Sequence, residues 1–126
     1  MRLLVVDSNS LLGWQLRREL PAEVELETVG DFSAAERRLR EDPPDAAVVS
    51  LPPAELPVRD FQHLCATRRP PVPVLYESCV FGCAAAAGLD TADGYAAFLP
   101  KPAGRSALAR ALAELLAAAR AGRAAS

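Results

Sequence analysis

Five short apolar runs punctuate the chain, and stretches with helical spacing separate them. Leu3-Leu4-Val5-Val6 ends in Asp7; Ala46-Ala47-Val48-Val49, with Ser50 and Leu51 at its end, stops against Pro52-Pro53. Neither run alternates with polar residues, which marks a strand buried on both faces. Val24, Leu26 and Thr28 alternate with Glu23, Glu25 and Glu27, predicting an edge strand solvated on one side. Val72-Pro73-Val74-Leu75-Tyr76 and Tyr95-Ala96-Ala97-Phe98-Leu99 complete the set.

The intervening stretches predict helices. Ser8-Asn9-Ser10 offers N-cap chemistry for a helix from about Leu11 to Leu20, with Leu12, Leu16 and Leu20 on one face and Pro21 ending it. Ser33 is expected to cap a second helix to about Glu41, with Ala35 and Leu39 inward, before Asp42-Pro43-Pro44 turns the chain into the central strand. A third runs from Val58 to Thr67 with Phe61, Leu64 and Cys65 as its apolar face, and Arg68-Arg69-Pro70-Pro71 breaks it. A weaker Ala-rich helix spans about Phe81 to Leu89, followed by a turn from Asp90 to Gly94. Ser106 opens the last helix, where Leu108, Leu112, Leu115 and Leu116 form one stripe and Arg105, Arg110 and Glu114 lie off it. The Ala- and Arg-rich end from Ala117 is expected to fray, giving a domain over 1–119 and a tail or start of a linker over 120–126.

Strand and helix therefore alternate, without repeats. That order predicts an α/β domain with parallel strands, right-handed crossovers and helices on both faces of one sheet. The strand ends carrying Asp7, Ser50, Ser78 and Lys101 then converge on one rim, where open parallel sheets hold ligands. Ser50, at the end of the central strand, is the residue on which function turns.

Composition narrows the choice. With 126 residues, 51% of them hydrophobic and 24% charged, the chain fits one globular domain. A net charge of -2 gives no electrostatic reason to expect nucleic acid or anionic membrane as a partner. No apolar run approaches the roughly 20 residues of a membrane span, and MRLLVVDS leads straight into a strand pattern, so the expected location is the cytoplasm. Cys65, Cys79 and Cys83, with His63, match no zinc spacing and read as small apolar fillers beside a surface histidine. No glycine-rich phosphate loop occurs, and the single His excludes a plausible Ser-His-acid arrangement, so no enzyme is expected. Of 14 basic residues only Lys101 is a lysine, which points to a place that needs a compact point charge.

With these positions in hand, the chain resembles the receiver domains of bacterial response regulators over about Arg2 to Leu116. LLVVDS, PDAAVVS, VPVLYES and GYAAFLPKP carry the resemblance. It implies a CheY-like, flavodoxin-like (βα)5 fold with strand order 2-1-3-4-5. In that family, two adjacent acidic residues after the first strand and an aspartate after the third hold Mg²⁺, and the last of these accepts a phosphoryl group. A Thr or Ser after the fourth strand and a Lys after the fifth contact the phosphoryl oxygens. Asp7 matches the first acidic position, Ser78 the hydroxyl, Lys101 the lysine and Phe98 the aromatic that changes rotamer on activation. Ser8 stands at the second acidic position and Ser50 at the phosphoacceptor.

Those departures remove the carboxylate that phosphoryl transfer needs and leave Asp7 as a poor Mg²⁺ site, so neither metal nor cofactor is expected. Ser50 is either a phosphorylated or nucleophilic serine or, as the residues favour, a small polar replacement for a lost carboxylate. Lys101 is expected to pair with Asp7. Glu77 and Asp45 read poorly as substitute acceptors, and Trp14 reads as packing. The resulting expectation is a pseudo-receiver acting in signal transduction through protein–protein contacts independent of phosphorylation. Tyr95, Phe98, Arg105 and Leu112 are its candidate contacts, on the surface that receivers form from their fourth helix, fifth strand and fifth helix, with a homodimer as one outcome. The alternatives are a metal-independent anion- or phosphoryl-responsive switch using Lys101, Ser78 and Ser50, or the N-terminal regulatory domain of a longer regulator.

Overall fold

A computed structural model describes residues 1–7, 11–51, 58–78, 95–100 and 104–125. Five strands alternate with helices in it: β1 (Arg2–Val6), α1 (Leu11–Glu19), β2 (Glu25–Val29), α2 (Phe32–Glu41), β3 (Ala46–Leu51), α3 (Val58–Thr67), β4 (Val74–Ser78), β5 (Ala96–Pro100) and α4 (Arg105–Ala125). The strands form one parallel sheet in the order β2-β1-β3-β4-β5. This is the expected architecture; the helix expected over Phe81 to Leu89 lies outside the described residues.

Each strand feeds two cores because successive side chains leave opposite faces of a sheet. Leu4, Val6, Ala47, Val49, Val74 and Tyr76 pack beneath Phe32, Ala35 and Leu39 of α2 and Phe61, Leu64 and Cys65 of α3. Leu3, Val5, Ala46, Val48 and Leu75 pack beneath Leu12 and Leu16 of α1 and Leu108, Leu112, Leu115, Leu116 and Ala119 of α4. The continuous apolar runs of β1 and β3 are thus explained by burial from both sides.

Several local expectations are corrected. Asp31, not Ser33, caps α2: its Oδ1 accepts the Ala34 N–H at 2.8 Å. An Asp accepts this bond as readily as a Ser, and Phe32 then enters the core as the first helical residue. Glu27 of the edge strand remains partly solvated, its side chain 43% exposed, while Arg38 of α2 pairs with it at 2.7 Å. Trp14 does not pack inward; it is 60% exposed, with the Arg18 guanidinium 5.1 Å from its ring centroid. The last helix does not fray at Ala117. Ala119 is buried, Arg123 pairs with Asp45 at 3.4 Å, and the Ala-rich sequence has the propensity to continue to Ala125.

The fourth strand also begins two residues later than the apolar run suggests. The Val72 N–H goes to the Cys65 carbonyl (3.0 Å), and Pro73 has no N–H to give. The ladder therefore starts at Val74 and carries Glu77 and Ser78 inside the sheet. That shift determines the composition of the rim.

Candidate functional site

The carboxyl ends of the strands bring Asp7, Ser50 and Glu77 onto one side of the sheet. Asp7 continues the parity of Leu3 and Val5, Ser50 that of Ala46 and Val48, and Glu77 that of Leu75, all on the α1–α4 side. Ser50 and Glu77 are direct register partners across β3 and β4. Asp7 and Ser50 are half-buried. Glu77 is only 7% exposed, an uncommon depth for a carboxylate.

Asp7 is held from two directions. Its backbone N–H donates to the Val29 carbonyl at 3.0 Å, tying the rim to β2. Its Oδ2 accepts the Leu12 N–H at 3.1 Å, so the carboxylate satisfies one of the orphan donors at the start of α1. Among the described residues, this is the capping role expected of the Ser8-Asn9-Ser10 segment. Ser8 itself, like Lys101 and its expected pairing with Asp7, lies outside the described residues. Ser78 closes β4, in register with Leu51 and Pro100.

Beside the row, Glu77 lines a cleft of about 170 Å³ with Gln15, Arg18 and Glu19 of α1 and Arg105 and Leu108 of α4. Arg105 Nε bonds Glu19 Oε1 at 2.6 Å across its mouth, joining the two helices. The cleft is therefore polar and of mixed charge, with a buried carboxylate in its wall.

Phe98 lies on the opposite face of the sheet. Its half-buried ring stacks on Tyr76 with centroids 5.2 Å apart and planes 20° from parallel. The Tyr76 hydroxyl donates a 2.7 Å bond to Gln62 Oε1 of α3, and both residues are buried. Burial pushes the Tyr76 hydroxyl well above its usual value, with Cys65 adding to the effect. The Cys65 thiol is likewise pushed up by burial to about 12, despite the opposing charge of Arg68, which suits an inert core filler. His63 is exposed, as expected.

The four candidate contact residues do not form one surface. Tyr95 packs on the α4 side, where burial and then Glu114 raise its hydroxyl's pKa, whereas Phe98 packs on the α2–α3 side. Leu112 is 2% exposed in the core beneath α4 and faces no partner, since it belongs to the same stripe as Leu108 and Leu115. Arg105 is accessible and engaged with Glu19.

Sequence reasoning missed two residues here. Gln62 was legible through Tyr76, because a tyrosine in an otherwise apolar strand needs a partner for its hydroxyl. Glu77 reads from the sequence only as a poor substitute acceptor without a metal partner; its burial and its place opposite Ser50 come from the sheet register.

One Asp7 oxygen accepts the first-turn N–H of α1, and the Ser50 hydroxyl stands where receivers carry their phosphoacceptor. Among the described residues no three His, Cys, Asp or Glu side chains are grouped so as to hold a metal ion.

No family model and no curated protein sequence matches the chain. Solved structures do. A signal receiver domain assigned to a Luxo repressor protein of Vibrio parahaemolyticus aligns over 98% of this chain and 95% of its own, with TM-score 0.79 and 18% identity. The signal receiver domain of an HD domain-containing protein from Pseudomonas fluorescens aligns over 97% and 90%, with TM-score 0.75 and 21% identity. The chemotaxis response regulator CheY4 of Vibrio cholerae aligns over 90% and 97%, with TM-score 0.71 and 19% identity. The fold is the CheY-like receiver fold. At these identities the likeness is one of receiver architecture, and the rim residues must be judged on their own chemistry. No helix among the described residues is long and apolar enough to cross a membrane.

Proposed function

We propose that this chain is an atypical receiver domain that acts in signal transduction by binding other proteins, without being phosphorylated at the end of β3. One observation carries the reading: Ser50 occupies the carboxyl end of the central strand, where the receiver chemistry requires an aspartate. A serine hydroxyl there has neither the carboxylate nucleophile nor the metal that neutralises charge during phosphoryl transfer. The receiver architecture of the structural neighbours supports a signalling role at the level of fold. Magnesium is not required in this reading, and no chemical reaction is assigned to the domain.

Intact mass after incubation with Mg²⁺ and acetyl phosphate tests it. An unchanged mass is expected; a gain of one phosphoryl group overturns the reading and favours the phosphoryl-responsive alternative that uses Ser50, Ser78 and Lys101. Pairing of two copies through the face that includes β5 and α4 is part of the same proposal. Sedimentation over a dilution series tests it, a monomer at every concentration being the adverse result.

A further inference from the structure

The rim row holds a buried carboxyl group on β4, one strand away from the position where receiver chemistry places its acceptor. Glu77 is 7% exposed at the end of β4 and stands directly across from Ser50 in the parallel register. Val48 and Leu75, two residues earlier on each strand, both enter the α1–α4 core, so the Ser50 and Glu77 side chains leave the same face. Neighbouring strands lie about 4.8 Å apart, so groups at these two positions share one space. Like charges placed directly opposite one another on adjacent strands are destabilising, more so where burial lowers the local dielectric. Asp7 adds a second carboxylate on the same side of the sheet.

We propose that Glu77 is the fixed carboxylate of this rim, displaced by one strand from the receiver position, and that it closes position 50 to a second anion. The serine follows from this arrangement. Its neutral hydroxyl is small, and it can donate towards a carboxylate, where an aspartate would oppose one. Two carboxylates remain on the row, on β1 and β4 instead of β1 and β3. The rim then holds a constant charge that no phosphodonor alters, so the domain presents one state to its partners. This inference rests on the reading of Ser50 given under Proposed function.

The test is a double-mutant cycle followed by urea unfolding at neutral pH. Ser50→Asp is introduced into the native chain and into Glu77→Gln, with Ser50→Asn as the uncharged control of equal size. Ser50→Asp is expected to lower the folding constant about tenfold more when Glu77 is present than when Gln replaces it, the size of coupling seen between contacting residues. Ser50→Asn is expected to cost the same in both backgrounds. Equal costs for Ser50→Asp in the two backgrounds overturn the proposal. If Ser50→Asp alone does not fold, a folded Ser50→Asp/Glu77→Gln chain supports it. A double variant that also fails to fold, while Ser50→Asn folds, overturns it. Glu77→Val serves as the neutral background should Glu77→Gln itself be unfolded. Phosphoryl incorporation by the native chain would sink the parent reading of Ser50 while leaving this coupling measurable on its own.

Discussion

The hydroxyl of Tyr76 on β4 and the side-chain oxygen of Gln62 on α3 form a 2.7 Å hydrogen bond between two buried residues. Tyr76→Phe keeps the ring and its stack on Phe98 but leaves Gln62 facing an apolar edge. A loss of about 1–2 kcal/mol is expected, the cost of one deprived buried group, read as a lower urea midpoint at unchanged slope. An unchanged midpoint would mean that the bond contributes nothing net.

Alkaline pH should destabilise the domain through Cys65. Its thiol has a folded value of about 12 against an ordinary value of 9.0, so the unfolded chain gives up the proton first. The stabilisation is complete below the ordinary value and is lost as pH rises towards the folded one. Between these limits the group removes about 1.4 kcal/mol per pH unit. Cys65→Ala is expected to flatten the fall of stability with pH across that window. Tyr76 acts in the same direction above its ordinary value of 10.0, so part of the slope should survive.

Asp7 is bonded to the first turn of α1 through Leu12. Asp7→Ala should cost about 1 kcal/mol, the usual loss for removing a helix-capping side chain. Asp7→Asn, which keeps an acceptor oxygen, should cost less. Equal losses would assign the effect to charge instead of the hydrogen bond.

Trp14, the chain's single tryptophan, is 60% exposed. Trp14→Ala is expected to change stability by less than about 0.5 kcal/mol. In the native chain, acrylamide should quench its fluorescence nearly as well as it quenches a free indole. Strong protection from the quencher would show this surface of α1 to be covered in solution.

The fold was legible because burial on both faces leaves an unbroken apolar run, and Leu3–Val6 and Ala46–Val49 have no other ready explanation. Alternation and right-handed crossovers then gave a parallel sheet, while its order, β2-β1-β3-β4-β5, was implied only by the resemblance to receivers. The rim was legible in part. Asp7 and Ser50 follow apolar runs whose ends are sharp, but the end of β4 was not visible. Where that ladder begins depends on a hydrogen bond from Val72 to Cys65, a tertiary contact that local pattern does not encode. The apolar run stops at Tyr76, whereas the strand continues through Glu77 to Ser78. Trp14 misled for a similar reason: a large aromatic predicts burial only on average, and its helix turns it away from Leu12 and Leu16.

The last helix has a mechanical consequence. Its 21 residues run about 31 Å, nearly twice the roughly 17 Å of a five-residue strand. Near its start Arg105 meets Glu19, and near its end Arg123 meets Asp45, just ahead of β3 at the amino-terminal end of the strands. The helix thus spans the depth of the domain with an accessible, weak ion pair near each end, and what fixes the rod is the buried stripe of Leu108, Leu112, Leu115, Leu116 and Ala119 between them.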